Sequence, residues 1–592
     1  MSMRDSARMV RHTMRLSVRA DRRTTVTVGV FVMLQAGLAA AIAYSQRLVV
    51  DAVGTEPATG LLAAVAIGTV AYTLQLVGAR VSHNYRNDLC NRVQMQLEQE
   101  ITEATARIPT VVHLERADYL NRVTMLRRGT LALTNTGWAA AYGLSALTSI
   151  VLSFWLLAGV HPLLAVLAVC AVPILPLTDR ARRIQRKAID ATSEPLRKEA
   201  ALHDLCLDPE PAKEVWISGN GRELDRRAVG LWQEAARQES RAQFRGVLAE
   251  LAGWTFYFAA LGGALLLVGH LLSTGSATAG DAVLVISLAG QLRLQQWTAV
   301  QGITQVADGG RVAEHHRWLL DHARTTAHGS LPAPRRLRQG IELRNVSFTY
   351  PGTRTPVLQV LNLNIPAGSS LGIVGLNGAG KSTLIKLLTG VHEPTSGSIL
   401  VDGTDLRTLD PAQWRAVSTG VLQDFAKLQV PVREAVGVGD LPRIDDTHAT
   451  AGALRRAGAT HIVDQLPHGA DTQLGRVFAG VELSHGQWQR IALARGLMRQ
   501  TPLLLLLDEP TAALDPQAEH DLFEQFAEQT RDSAARGAVT VLVSHRFSTM
   551  HMAEQIVVVS QGRISEYGTH AELLAAGGEY ADLYRTQAHA YQ

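Results

Sequence analysis

Six apolar stretches in the first half of the chain, at residues 24–50, 60–79, 138–160, 161–178, 247–272 and 281–304, leave few folds open to it. Each is close to the roughly 20 residues that cross a bilayer as a helix. The first follows a basic segment carrying Arg4, Arg8, Arg11, Arg15, Arg19, Arg22 and Arg23. Ala41-Ile-Ala43 resembles a signal-peptide cleavage site. The run is nevertheless much longer than a signal core of roughly 7–15 residues, so a retained membrane helix is expected. Gly159 to Pro162 alone separates the third and fourth runs, which predicts a tight helical hairpin.

Charge orients these spans. The connections at 51–59, 159–162 and 273–280 hold no Lys or Arg, whereas 80–137 and 179–246 are long and rich in Arg. Positive connections stay on the cytoplasmic side. Both termini and the long connections are therefore expected in the cytoplasm of a bacterium, with the spans in its plasma (inner) membrane. The net charge of +4 is too small to imply a nucleic-acid partner. Basic residues are mostly Arg, with Lys only at 187, 198, 213, 381, 386 and 427, a weak sign of a GC-rich genome. Cys90, Cys170 and Cys206 lie far apart, with neither metal spacing nor a disulfide framework.

Residues 80–107 and 180–204 carry helical periodicity with charged faces, so the membrane helices should run on past the bilayer. Pro109 and Pro195 should interrupt them, and short helices at Glu115–Met125 and Leu202–Lys213 are expected to touch the domain that follows the spans. The plainer reading is a set of solvated charged helices. Within the last span, Arg293 sits among Gln291, Gln295, Gln296 and Trp297. A charge at that depth either lines a path through protein or snorkels to the inner interface. Gln35, Gln75, Asn135 and Trp138 are weaker path candidates and could equally be helix–helix contacts.

The second half is a different kind of chain. Gly375-Leu-Asn-Gly-Ala-Gly-Lys-Ser-Thr383 sits between an apolar run, Leu371–Val374, and a helical pattern at Leu384, Ile385, Leu387 and Leu388. Gly375, Gly378 and Gly380 let the backbone N–H groups turn inward around a polyphosphate, with Asn377 at the tip. The helix N-terminus faces the same anion. Lys381 would reach the β- and γ-phosphates, and Ser382 and Thr383 supply hydroxyls, that of Ser382 toward Mg²⁺. A polar, proline-containing segment at 322–340 reads as a linker. Ile341–Tyr350 alternates like a strand, and Tyr350 is placed to stack on a purine. Leu503–Leu507 is a strand buried on both faces that ends in Asp508-Glu509. A carboxylate in that place holds Mg²⁺, and its neighbour can orient the attacking water. Val539–Val543 ends at Ser544-His545, where an imidazole can meet the γ-phosphate. Gln423 follows Val421-Leu422 and offers a neutral oxygen to metal or water.

The order of Tyr350, the loop at 375–383, Gln423, Leu483-Ser-His-Gly-Gln487, Asp508-Glu509, Ala513-Leu-Asp515 and His545 resembles the ATP-binding-cassette family. Six spans ahead of one such cassette look like an exporter half-transporter. The fold implied is a membrane α-helical six-span exporter domain followed by an α/β P-loop ATPase domain. The expected boundaries are 1–23 for an N-terminal segment, 24–321 for the membrane domain, 322–340 for the linker and 341–592 for the nucleotide-binding domain. The resemblance implies ATP and Mg²⁺ as cofactors and a second chain as partner, a homodimer being favoured. Ser484, Gly486 and Gln487 of one chain would close over ATP held by Lys381 of the other, with Asp515 communicating between the two. His485 stands where the family usually has glycine. The forms Gly475-Arg-Val-Phe478, Leu483–Gln489 and Ala212-Lys-Glu-Val-Trp216 look like exporters of lanthipeptides and related peptides. With only 23 residues before the first span, no leader peptidase domain is expected. ATP-driven export of a peptide or amphipathic small molecule is the leading reading. A lipid flippase, an exporter-fold siderophore importer, and a weakly hydrolysing partner in a heterodimer are alternatives. A non-transporting cassette ATPase acting on ribosomes or DNA is disfavoured by the spans.

Overall fold

The computed structural model describes residues 3–53, 58–170, 174–209, 211–326, 329–510, 534–544, 550 and 553–590. The chain forms two compact units, one of residues 1–100 with 125–317 and one of residues 101–124 with 318–592. The 101–124 segment, inside the expected 24–321 membrane domain, thus clusters with the ATPase residues.

The first unit is helical. An amphipathic helix α1 (Met3–Ala20) stops at Asp21, whose carboxylate caps α2 (Arg22–Ala52) by accepting from Thr24 N–H. Then come α3 (Ala58–Arg107), α4 (Ala117–Val160), a 3-10 turn at Pro162–Ala165, α5 (Val166–Cys170), α6 (Ile174–Leu207), α7 (Pro211–Ser218), α8 (Gly221–Ser273) and α9 (Ala279–Thr325). Among the described residues, α2, α3, α4 and α8 are long and apolar enough to cross a membrane. The expected fourth span falls across α5 and α6, and its residues 171–173 lie outside the described residues. The expected sixth lies in α9, where Arg293 and four glutamines dilute the apolar run.

Pro195 does not interrupt its helix: α6 continues through it to Leu207. One lost backbone hydrogen bond is tolerated where neighbouring contacts hold the turn, and here Thr192 Oγ1 donates to Glu239 Oε1 of α8 at 2.7 Å. Small residues repeat every seven positions on both partners, Ala181 and Ala188 on α6 and Ala228, Ala235 and Ala242 on α8, all buried. This spacing keeps one seam facing the other helix. A Cβ added at Gly246 would lie 3.5 Å from the Cβ of Ala181, so the two backbones approach closely.

The second unit carries two sheets. The antiparallel one has the order β2 (Leu358–Pro366), β1 (Gly340–Phe348), β4 (Ser396–Val401), β5 (Thr404–Asp405). The other has the order β10 (Arg563–Gly568), β9 (Gln555–Ser560), β3 (Ser370–Val374), β8 (Val539–Val543), β7 (Leu504–Asp508), β6 (Ser418–Val421), and is parallel from β9 to β6. Strands β7 and β8 are buried along their whole length, as a parallel sheet covered on both faces requires. Helix α10 (Lys381–Leu388) follows β3, and α11 (Pro411–Val417), α12 (Val432–Gly437), α13 (Thr447–Arg456), α14 (Thr460–Asp464) and α15 (His485–Gly496) follow in turn.

The first cytoplasmic contact segment sits earlier than expected. Helix α3 ends at Arg107, and the contact with the ATPase core begins at residue 109, ahead of the expected Glu115–Met125, whose first residue, Glu115, lies 3.3 Å from His392. Val111 N–H donates to Val391 O at 3.1 Å, and Arg415 donates to Pro109 O at 3.1 Å. The helix expected at Leu202–Lys213 is displaced to α7, because α6 consumes 202–207; α7 buries none of its side chains.

Candidate nucleotide site

Between β3 and α10 the chain must turn sharply. Gly375 has φ +155°, and a Cβ there would lie 2.2 Å from Val559 O. Gly380 has φ +106°, and its Cβ would lie 2.6 Å from Leu358 Cδ2. Both positions therefore demand glycine. Gly378 is also left-handed, and Asn377 is exposed beside it. Lys381, the first residue of α10, is buried. Its Nζ donates to Gly375 O at 2.8 Å and Leu376 O at 3.1 Å, so the ammonium lies curled over the loop it would share with phosphate. Burial pushes the Lys381 pKa down, while the Glu509 and Asp508 carboxylates pull it back up.

Asp508 closes β7 and is 3% exposed, and its Oδ1 has no hydrogen-bond partner among the described residues. Burial pushes its carboxyl above the usual range. The Ser382 hydroxyl and Lys381 work against that, as does the backbone N–H of Gln423, while Glu509 adds to it. A buried, half-satisfied carboxylate is costly unless something cationic meets it. A hydroxyl, a carboxylate and, at the end of neighbouring β6, a carboxamide form an all-oxygen set of the kind a hard divalent cation takes. Ser382, Asp508 and Gln423 thus fit Mg²⁺.

Glu509 follows with φ +49°, an unfavourable conformation for a side-chain-bearing residue. It is held from two sides. Its N–H donates to Val543 O at 3.0 Å, and its carbonyl accepts from Gln489 Nε2 at 3.0 Å. Gln489 is buried in α15 and is not a residue that the motifs point to. Its only sequence signal is its place two residues after Gln487. Tyr350 lies near the loop but is tied down: its hydroxyl is 3.1 Å from Thr383 Oγ1, and its ring meets Phe348 edge-on at 4.9 Å.

The structure therefore brings Tyr350, Gly375–Thr383, Gln423, Asp508 and Glu509 to one end of the parallel sheet. Ser484, Gly486 and Gln487 form a separate group at the start of α15. Ser484 caps that helix in a reciprocal box, its hydroxyl accepting from Gln487 N–H and its own N–H donating to Gln487 Oε1 at 2.8 Å. Among the described residues, no hydrogen bond joins these three to the loop. His485 is exposed, its ring 5.4 Å from that of Phe425. Asp515 and His545 lie outside the described residues.

Comparisons with known proteins give the family. The family model described as "ABC transporter" matches residues 358–512. The "ATP-dependent lipid A-core flippase" of Methylococcus capsulatus is 31% identical over 437 residues, covering 72% of this chain and 69% of the relative. The protein of the same name from Pseudomonas putida is 38% identical over 319 residues, covering 53% of this chain and half of the relative. The human "Mitochondrial potassium channel ATP-binding subunit" is 35% identical over 332 residues, covering 55% and 44% of the two chains. A solved structure described as a bacterial Atm1-family ABC exporter with ATP bound superposes with a TM-score of 0.78, over 96% of this chain and 99% of that one. At 24% identity, that match speaks for the fold alone. The chain belongs to the ABC transporter family, as a half-transporter of exporter type whose ATPase domain follows its membrane helices on one polypeptide.

Proposed function

We propose that two copies of this chain export an amphipathic cargo across a bacterial inner membrane, with both termini cytoplasmic, at the expense of ATP. The observation that carries the reading is the convergence of the phosphate loop, Asp508 and Glu509 at one sheet end, in a chain that also holds membrane-length helices. Water would attack the γ-phosphate in line, oriented by Glu509. Lys381 and the loop N–H groups would take up the developing charge. Mg²⁺, held by Ser382, Asp508 and Gln423, would neutralise phosphate oxygens when bound. Tyr350 would stack on the base, Ser484, Gly486 and Gln487 would reach the partner's nucleotide, and His545 and Asp515 keep the roles the family pattern gives them.

A cavity of about 810 Å³ within the helical unit supports an amphipathic cargo. Ala139, Gly143, Ala299 and Gly302 give it small apolar walls, while Arg186 and Arg311 stand at its charged end. Arg293 is exposed and leans on Trp254 at 5.9 Å; it does not line this cavity, whereas Gln295 and Gln296, two and three residues further along α9, are buried. The Gly475–Phe478 and Trp216 patterns favour a peptide. The names of the bacterial relatives favour a lipid. The test is ATP hydrolysis by the purified chain in lipid vesicles, alone, with peptides, lipids and small amphiphiles added in turn and Glu509→Gln as control. Hydrolysis that is lost in the variant and stimulated by one class supports the reading and assigns the cargo. No hydrolysis by a folded, ATP-binding chain overturns the homodimer.

A further inference from the structure

His392 is buried, 1% exposed, on the turn between α10 and β4, and the nucleotide site described above makes no use of it. Three kinds of neighbour surround it. On one side Glu115, from the 109–115 segment, places Oε1 3.3 Å from Nε2. On a second the ring stacks on Phe348, with centroids 5.2 Å apart and planes 22° apart. On a third it meets the Tyr350 ring edge-on at 5.6 Å. Tyr350 in turn touches Thr383 of the phosphate loop through its hydroxyl, and Lys386 Nζ lies 5.8 Å from the same ring. The backbone on either side is also engaged: Val391 O receives Val111 N–H, and His392 N–H donates to Lys386 O at 3.1 Å.

We propose that His392 is a positioning residue that joins the 109–115 segment to the Tyr350–Thr383 pair, so that nucleotide in the loop and the seating of that segment stabilise each other. The proposal rests on the nucleotide reading above and adds to it the route by which occupancy is passed on. Packed aromatic rings shift together or not at all, because interiors are close-packed. A base stacking on Tyr350 must adjust a ring whose other edge is against His392. His392 cannot move without changing its contact with Glu115. Coupling of this kind is reciprocal: whatever seats the segment also favours nucleotide.

The test measures hydrogen exchange of the full chain in lipid nanodiscs, with and without ATP, in a Glu509→Gln background. Two peptides are read, the loop 375–383 and the segment 109–115. ATP is expected to slow exchange in both, and to slow the segment by at least about 5-fold, the lower end of ordinary coupling. His392→Ala is expected to keep the loop response and lose that of the segment. His392→Phe, which retains a ring between Phe348 and Tyr350 but not the contact with Glu115, is expected to restore part of it; a merely structural loss would instead raise exchange of the segment equally with and without ATP. An undiminished segment response in His392→Ala overturns the proposal. Should that variant not fold, Tyr350→Phe, which removes only the hydroxyl at Thr383, is expected to uncouple the two peptides, and a full segment response there overturns it equally. A loop that ATP leaves unprotected would overturn the nucleotide reading itself, and the relay with it.

Discussion

Asp508 and Glu509 are adjacent carboxylates that the fold treats in opposite ways. Asp508 is buried at the end of a strand, and Glu509 is turned out of it by a left-handed backbone. Burial raises the Asp508 pKa, so with no cation bound the ionised form weighs against the folded state at neutral pH, and that burden lifts as pH falls through the raised value. Asp508→Asn is therefore expected to raise the melting temperature of the nucleotide-free chain and to abolish Mg²⁺-dependent hydrolysis; scanning calorimetry and phosphate release check the two halves. Glu509→Gln is expected to leave ATP binding intact and cut hydrolysis by about 100-fold or more, the span of a lost general base. Gly375→Ala would force a Cβ against Val559 O and cost about 1–3 kcal/mol from backbone conformation alone. Denaturant titration of the folded chain would show it. These residues were legible in the sequence because a phosphate loop and an acid-ended apolar strand leave few alternatives. Gln489 was not, because nothing in a sequence says that a glutamine side chain will brace a carbonyl twenty residues on.

At the scale of elements, regular pieces were legible and their joints were not. The strand expected over Val539–Val543 is β8 to the residue, and Leu503–Leu507 is β7 shifted by one. Such runs are buried on both faces and have one way to fit. The joint between α3 and α4 depends on which residues meet a distant surface, which periodicity does not encode, so the expected segment includes Glu115 but misses the contacts at Pro109 and Val111. The same limit applies to Pro195, where packing against α8 overrides a strong local breaker. The joint carries a pH dependence of its own. Burial holds the His392 imidazole below the ordinary histidine range, with Glu115 pulling it up and Lys386 pushing it down. The unfolded chain takes up that proton near pH 6.5, so stability is present above this value and falls as pH drops below it. His392→Phe is expected to flatten the decline between about pH 6.5 and 5 in thermal unfolding of the full chain.

At the scale of the molecule, α7 is the piece that one chain leaves unfinished. Trp216 is 85% exposed and Ile217 is 78% exposed, a pair of large apolar side chains on a short helix. If a second copy covers them, Trp216→Ser should lower cargo-stimulated hydrolysis in vesicles while leaving the melting temperature of the detergent-dispersed single chain unchanged. Cargo is the property least legible at this scale. On the proposed reading it would be set by the cavity that Ala139, Gly143, Ala299 and Gly302 help to line, and those residues are, in the sequence, ordinary small residues of membrane helices. Helix α8 has a consequence of a mechanical kind. Its 53 residues extend about 80 Å at 1.5 Å each, of which a bilayer core takes only about 30 Å. Bound to α6 along an alanine seam, the remainder is a stiff doubled rod and not a tether. A rod of about 50 Å turned by about 5° at its fulcrum in the membrane carries its tip by about 4 Å. A modest torque at one end is thus amplified into a displacement comparable to a helical turn at the other, and a binder that clamps the tip should stall transport without touching cargo or nucleotide.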